Sequence, residues 1–155
     1  MPDIPIRSYA ISLFPLREID KRVEVLLMKR EQTLAGAWGQ VAGSLEANET
    51  AWQAALREMH EETSLRPIAL YSADTYEQFY EPDREAIAIF PVFVAYVAPN
   101  ARVVLNEEHS AFKWVGFDQA RDMVSFGGQR RVLTWIEDEF VTRTPSPHLR
   151  INVPA

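Results

Sequence analysis

The sequence predicts an α+β domain in which a mixed sheet is layered between helices, an α/β/α arrangement. Three observations support that class. The 155 residues are 47% hydrophobic and 25% charged, the balance of a single soluble domain long enough to bury its own core. Strand-like apolar runs dominate the chain, and one helical segment interrupts them in the middle. A second helical pattern then closes the fold near the C-terminus.

In chain order, residues 6–16, IRSYAISLFPL, and 22–30, RVEVLLMKR, read as two strands joined by a polar turn at 18–21. A short strand at 38–43, WGQVAG, ends at Gly43. From about 49 to 62 the period becomes helical. Residues 67–80 and 84–98 read as longer strands separated by the turn signal EPD, and Pro91 inside the second implies an edge position or a bulge. A weak strand at 101–105 and a strand at 109–117 follow. The last helix is read over 127–143, with Val132, Leu133, Trp135, Ile136 and Phe140 as its apolar stripe. The domain is therefore placed at 1–142, and the Pro-rich remainder, 143–155, as a loosely held tail.

Composition removes several function classes. The chain has no cysteine, so disulfides, thiolate metal sites and a cysteine nucleophile are excluded. Asp3 and the lack of a basic region before a long apolar run argue against a secretory signal. No window reaches the roughly 20 apolar residues of a membrane span. A cytoplasmic location without membrane partners is the expectation. A net charge of −6 argues against a nucleic-acid polymer as partner. It leaves room for a small phosphorylated molecule, because a metal ion can supply positive charge locally.

The densest chemistry lies in LREMHEETSL, residues 56–65. On a helix, Glu58, Glu61 and Glu62 stand three and four positions apart, so like charges crowd one side. Arg57 falls on a different side by the same projection. Trp52, Leu56, Met59 and Thr63 form the core-facing stripe, whereas Ala51, Ala54 and Ala55 lie beside the acids and leave space for something to lie along the helix. One reading is a solvated acidic face. The other is a site for a hard divalent cation, which collects several oxygens at one spot and keeps waters and substrate phosphates in its remaining positions.

Residues 43–65, GSLEANETAWQAALREMHEETSL, resemble the Nudix box. Gly43, Glu49, Arg57, Glu58, Glu61 and Glu62 match its fixed positions, and Met59 and Leu65 match its aliphatic ones. Ser64 departs from it, standing where the family has a glycine that would serve as a left-handed helix cap. The resemblance implies the Nudix fold and hydrolysis of a diphosphate bond with Mg²⁺, or Mn²⁺, as cofactor. Carried over by position, Glu58 and Glu62 would be the main metal ligands. Glu61 would be a further ligand or the water-activating base, and the Gly43 carbonyl would complete the set. Glu49 and Arg57 would stand behind these ligands, Arg57 orienting a carboxylate through bidentate hydrogen bonds.

Residues 106–117, NEEHSAFKWVGF, resemble a segment of the dihydroneopterin triphosphate diphosphatase and dNTP pyrophosphohydrolase group, which would add Glu108 to the metal and catalytic residues. A charged loop is the alternative for Glu107 and Glu108, and a structural hydrogen-bonding role for His109. Arg7, Arg30, Trp38 and Gln40 are candidates for binding the substrate, and Phe79 and Tyr80 for stacking on a flat ring. The implied reaction releases pyrophosphate and a monophosphate from a small triphosphate, with dihydroneopterin triphosphate first and a dNTP second. An ADP-ribose or dinucleotide polyphosphate hydrolase, an RNA-end pyrophosphohydrolase, and a nucleotide-sensing domain without catalysis are the rivals. Homodimers are common in the superfamily, and no interface motif is readable here.

Overall fold

The computed structural model describes residues 1–154. Its strands are β1 (Ile6–Arg7), β2 (Ala10–Ile19), β3 (Arg22–Arg30), β4 (Trp38–Gly39), β5 (Val41–Ser44), β6 (Ala69–Glu81), β7 (Ala86–Tyr96), β8 (His109–Val115) and β9 (Arg150–Ile151). Three α-helices are interspersed, α1 (Ala51–Thr63), α2 (Phe117–Met123) and α3 (Gly127–Ile136). The strands form one mixed sheet in the order β4-β3-β2-β7-β6-β9, with β8 also on β3, β5 on β2 and β1 on β7. β7 runs parallel to β1 and β2, and the remaining pairs are antiparallel.

The layering follows from period-two alternation. On β2, Phe14 and Leu16 face one side and Ile11 and Leu13 the other; on β3, Val25 and Leu27 oppose Leu26 and Met28. α3 packs Val132, Leu133 and Ile136 on the first face, and α1 packs Ala54, Ala55 and Met59 on the second. The α/β/α expectation holds. The β2–β3 hairpin closes at Asp20 and Lys21, both at positive φ (49° and 64°), which matches the twist of a tight two-residue turn.

Several local expectations are corrected. The first strand is broken into β1 and β2, and the third into β4 and β5. Residues 101–105 form no strand; Val104 donates its N–H to the Thr63 carbonyl while Val103 and Leu105 pack beneath α1's side of the sheet. The helix read over 127–143 is α3 followed by a π-helical turn, Glu137–Thr142, and Trp135 is not core: it is 37% exposed and donates its indole N–H to the Ala73 carbonyl at 2.7 Å. α2 was not expected. Pro91 is not on an edge, since β7 lies between β2 and β6. It sits where the ladders are interrupted, between the β1 and β2 pairings on one side and opposite a register shift in β6 on the other. Within the tail, Ile151 pairs with Leu70 on the sheet edge, so residues 150–151 are held rather than loose.

α1 begins at Thr50, whose hydroxyl accepts from Gln53 N–H while the Gln53 side chain accepts from Thr50 N–H, a reciprocal cap. It ends at Ser64 in the left-handed region, φ 64° and ψ 8°, with Ser64 N–H donating to the His60 carbonyl. A non-glycine residue there is strained. Ser64→Gly is expected to raise the unfolding free energy by a few tenths to about 1 kcal/mol, read from the urea midpoint; an unchanged or lower midpoint would show that the serine carries no strain.

Candidate active site

The N-terminal half of the site is built by the loop between β5 and α1 folding back on the helix. Arg57 organises it. Its Nε and Nη2 donate to the two Glu49 oxygens at 3.1 and 2.7 Å, and Nη2 also reaches the Ser44 carbonyl at 3.0 Å. Its Nη1 donates to Glu58 at 2.9 Å and to Glu61 at 3.3 Å, with Glu46 at 3.4 Å. The helical projection that put Arg57 away from the acids is thus corrected, because the long side chain reaches around the helix to them. These contacts hold the Glu49 carboxyl below the ordinary carboxylate range, the Arg57 hydrogen bond being the main cause.

Close approach is the second requirement. A Cβ on Gly43 would fall inside the Glu58 carboxylate, so glycine there lets that side chain lie against β5. Ala54 and Ala55 are fully buried against the sheet. Their small size brings the helix down onto the strands, which corrects the expectation of an open lane beside the acids.

Glu62 is the buried member of the cluster, 1% exposed. Desolvation, followed by the neighbouring Glu58, pushes its pKa up to about 10. Glu108, in the turn before β8, is also raised, by desolvation and then by Glu58 and Glu61. His109 is nearly buried, and burial lowers its pKa, so it is a neutral neighbour at ordinary pH. One ligand atom from each of Glu62, Glu108 and His109 can be chosen so that all lie within 4.8 Å of one another. Glu62 Oε1 is 3.8 Å from His109 Nδ1, while Glu62 Oε2 and His109 Nδ1 are buried without hydrogen-bond partners. A divalent cation fits this donor set, since it would satisfy both orphaned atoms and offset the desolvated carboxylate.

Two cavities meet here. A small polar one, about 180 Å³, is lined by Glu62, Glu108, His109 and Arg30. A larger cleft of about 610 Å³ carries Trp38, Gln40, Phe79, Tyr80, Phe90 and Phe126 on its walls. Arg30 and Ala42 line both. Arg30, Trp38 and Gln40 are therefore gathered at the site. Arg7 is not: it lines neither cavity, and its guanidinium lies 5.4 Å from the centre of the Tyr9 ring. Sequence reasoning missed Glu77, Gln129 and Arg131, which also line the cleft. Glu77 was legible only as one polar residue in a strand, and Gln129 as a surface residue of a helix.

The NUDIX domain model matches residues 7–136. A curated octanoyltransferase of Myxococcus xanthus is 35% identical over 131 residues, which are 83% of this chain but 36% of that protein, so the chain spans about a third of its length. A C. elegans Ap4A hydrolase complex superposes with a TM-score of 0.74 at 22% identity, over 85% of this chain and 96% of that one. The E. coli dihydroneopterin triphosphate pyrophosphohydrolase superposes with a TM-score of 0.68 at 23% identity, over 90% and 99%. These two likenesses establish the fold.

The raised Glu62 pKa gives a signed pH dependence. Between the ordinary carboxylate value and about 10, the folded chain binds more protons than the unfolded one, so stability falls as pH rises through that window. In EDTA, unfolding free energy should decline from pH 5.5 to 8.5 by at most about 1.4 kcal/mol per unit relative to Glu62→Gln. Adding Mg²⁺ should remove the decline, as followed by denaturant titration. Parallel pH profiles for the two proteins in EDTA would refute the assignment.

Proposed function

The chain belongs to the NUDIX family, and on that premise we propose that it is a divalent-metal-dependent pyrophosphohydrolase of a small triphosphate, releasing a monophosphate and pyrophosphate. The observation that carries this reading is the junction of the two cavities at Arg30: a carboxylate nest with orphaned buried atoms opens beside one aromatic-walled cleft. The cleft's volume is of the order needed for one heterocycle and its sugar or side chain. Dihydroneopterin triphosphate is the first candidate and a dNTP the second. A cytoplasmic setting suits such a substrate, and among the described residues no helix is long and apolar enough to cross a membrane.

In this reading Glu58, Glu62 and Glu108 would hold Mg²⁺, or Mn²⁺, with the Gly43 carbonyl beside them and His109 Nδ1 completing the donor set. A bound divalent cation supplies Lewis acidity toward the phosphate oxygens and neutralises their charge. The protein does the rest. Arg57 and Glu49 keep the ligand carboxylates from rotating. Glu61, half exposed and tethered to Arg57 through Oε2, receives the proton of the attacking water at its other oxygen. The water's oxygen bonds to phosphorus as the anhydride P–O bond breaks, and pyrophosphate leaves. Arg30, its guanidinium fixed on the Thr33 carbonyl and hydroxyl, meets phosphate charge at the mouth shared by the two cavities.

The chain also shares its fold with the Ap4A hydrolase described above, so an Ap4A-type or ADP-ribose substrate is the second reading. Product analysis separates them. With Mg²⁺ and a panel of dihydroneopterin triphosphate, dNTPs, Ap4A and ADP-ribose, one triphosphate should release pyrophosphate. Glu62→Gln should lose about 10³-fold or more in kcat, and Arg57→Ala about 10- to 100-fold. Two phosphorylated nucleoside fragments without pyrophosphate would move the substrate to the second reading. Tight binding with no turnover of any compound would make the domain a sensor.

A further inference from the structure

The cleft has a polar floor that the hydrolytic chemistry does not use. Gln129 Oε1 accepts from Phe126 N–H at 3.1 Å. A backbone N–H can only donate, so this bond turns the Gln129 amide nitrogen toward Gln40, whose Oε1 accepts from it at 3.1 Å. Gln40 is thereby oriented too: its Nε2 donates to Ser12 Oγ at 3.1 Å and to Glu77 Oε2 at 2.8 Å. Ser12 in turn donates to Glu77 Oε1 at 3.3 Å. Each step of the relay is fixed by the one before it, and the relay ends on the Glu77 carboxylate.

Glu77 therefore receives one hydrogen bond on each oxygen, and a carboxylate can accept about four. It lies on the wall of a cleft that also carries Trp38, Phe79 and Phe126, with Arg30 and Arg131 among its polar lining. Burial raises its pKa, and the influences opposing burial are the neutral Gln40 and Ser12 donors, with no cation among them. Its two oxygens accept from Gln40 and Ser12 separately, which ties β6 to β2 and to the residue ahead of β5 and leaves further lone pairs unused. A planar carboxylate with paired open lone pairs between apolar walls complements a flat ring that presents two adjacent N–H donors on one edge.

We propose that Glu77 reads the donor edge of a 2-amino-4-oxo-pyrimidine ring, the ring N–H and the exocyclic amino group that guanine and pterins share, and so sets the substrate class. Trp38, Phe79 and Phe126 supply the apolar faces of the slot. Ser12, Gln40 and Gln129 are positioning residues that hold the carboxylate in plane. Adenine is rejected because its corresponding ring nitrogen is an acceptor and would face the carboxylate lone pair to lone pair. This rests on the reading of the cleft as the seat of the substrate's non-phosphate part.

Equilibrium binding tests it without turnover. In EDTA, calorimetric titration of the wild type should show GMP binding about 10- to 100-fold tighter than AMP, with IMP, which keeps only the ring N–H, in between. In Glu77→Gln the GMP preference should collapse, with GMP affinity falling and AMP affinity holding or rising as the lone-pair repulsion is removed. Neopterin against its 2-desamino analogue forms the pterin arm. Preference in that arm alone assigns a pterin, in the purine arm alone a guanine nucleotide, and in both arms the shared ring. Equal affinities of wild type within both arms would overturn the proposal, as would a Glu77→Gln protein that keeps the preference. Discrimination in EDTA together with absent hydrolysis would refute the hydrolase reading and leave this one standing.

Discussion

The Arg57 guanidinium is the interaction on which the site depends. It lies among four carboxylates, Glu46, Glu49, Glu58 and Glu61, and the Ser44 carbonyl. Without it the repeated like-charge contacts on α1 would push the side chains apart, each costing a few tenths of a kcal/mol, and the loop 44–50 would lose its main anchor to the helix. A lysine could not substitute, because the bidentate bond to Glu49 and the simultaneous reach to Glu58 need the planar fork. The guanidinium neutralises the outer part of the acidic cluster while leaving Glu62, deeper in the seam, unrelieved.

That division depends on how close α1 comes to the sheet. Ala54 and Ala55 have no bulk to hold the helix away and Gly43 leaves room for the Glu58 carboxylate, and Glu62 lies below the surface, next to His109 on β8. β8 reaches that position because the sheet forks. The last part of β2 pairs with the first part of β3, while β3 continues beside β8 and the first part of β2 beside β5. The cavities lie along this fork, and Arg30, at the end of β3, faces both of them.

Local signals in the sequence were readable where the chemistry is local. Residues 22–30 form β3 as expected, and the box helix lies within two residues of its expected bounds. α2 went unseen because seven residues with only Phe117 and Ala120 buried give too little period to register. In place of the weak strand expected at 101–105, the structure has one backbone bond from Val104 to Thr63. Arg57 makes the carboxylate contacts expected of it although helical projection put it on another side, because projection treats a side chain as a direction and ignores its length. Arg7 was misplaced because β1 pairs with β7 alone, ahead of the fork. The Ser12–Gln40–Glu77–Gln129 relay joins β2, the loop before β5, β6 and α3 across sequence separations of 28 to 89 residues. No spacing rule connects them, and only the folded topology does.

Glu62 and Glu77 show how one molecule prepares two carboxylates for opposite partners. Both are desolvated, and both have raised pKa values for that reason. Their surroundings differ. Glu62 is desolvated and has Glu58 and Glu108 as neighbours, which outweigh the opposing charge of Arg30, so a cation of high charge density is what would reverse the balance. Glu77 has neutral donors on both oxygens, which keep the anion tolerable without saturating it. Such a group gains from one more pair of N–H donors, whereas a divalent cation gathers several anionic oxygens and the Glu77 carboxylate has only neutral donors as its named partners. The same residue type is thus poised toward metal at one end of the fork and toward a heterocycle at the other, and the difference lies in the neighbours each was given.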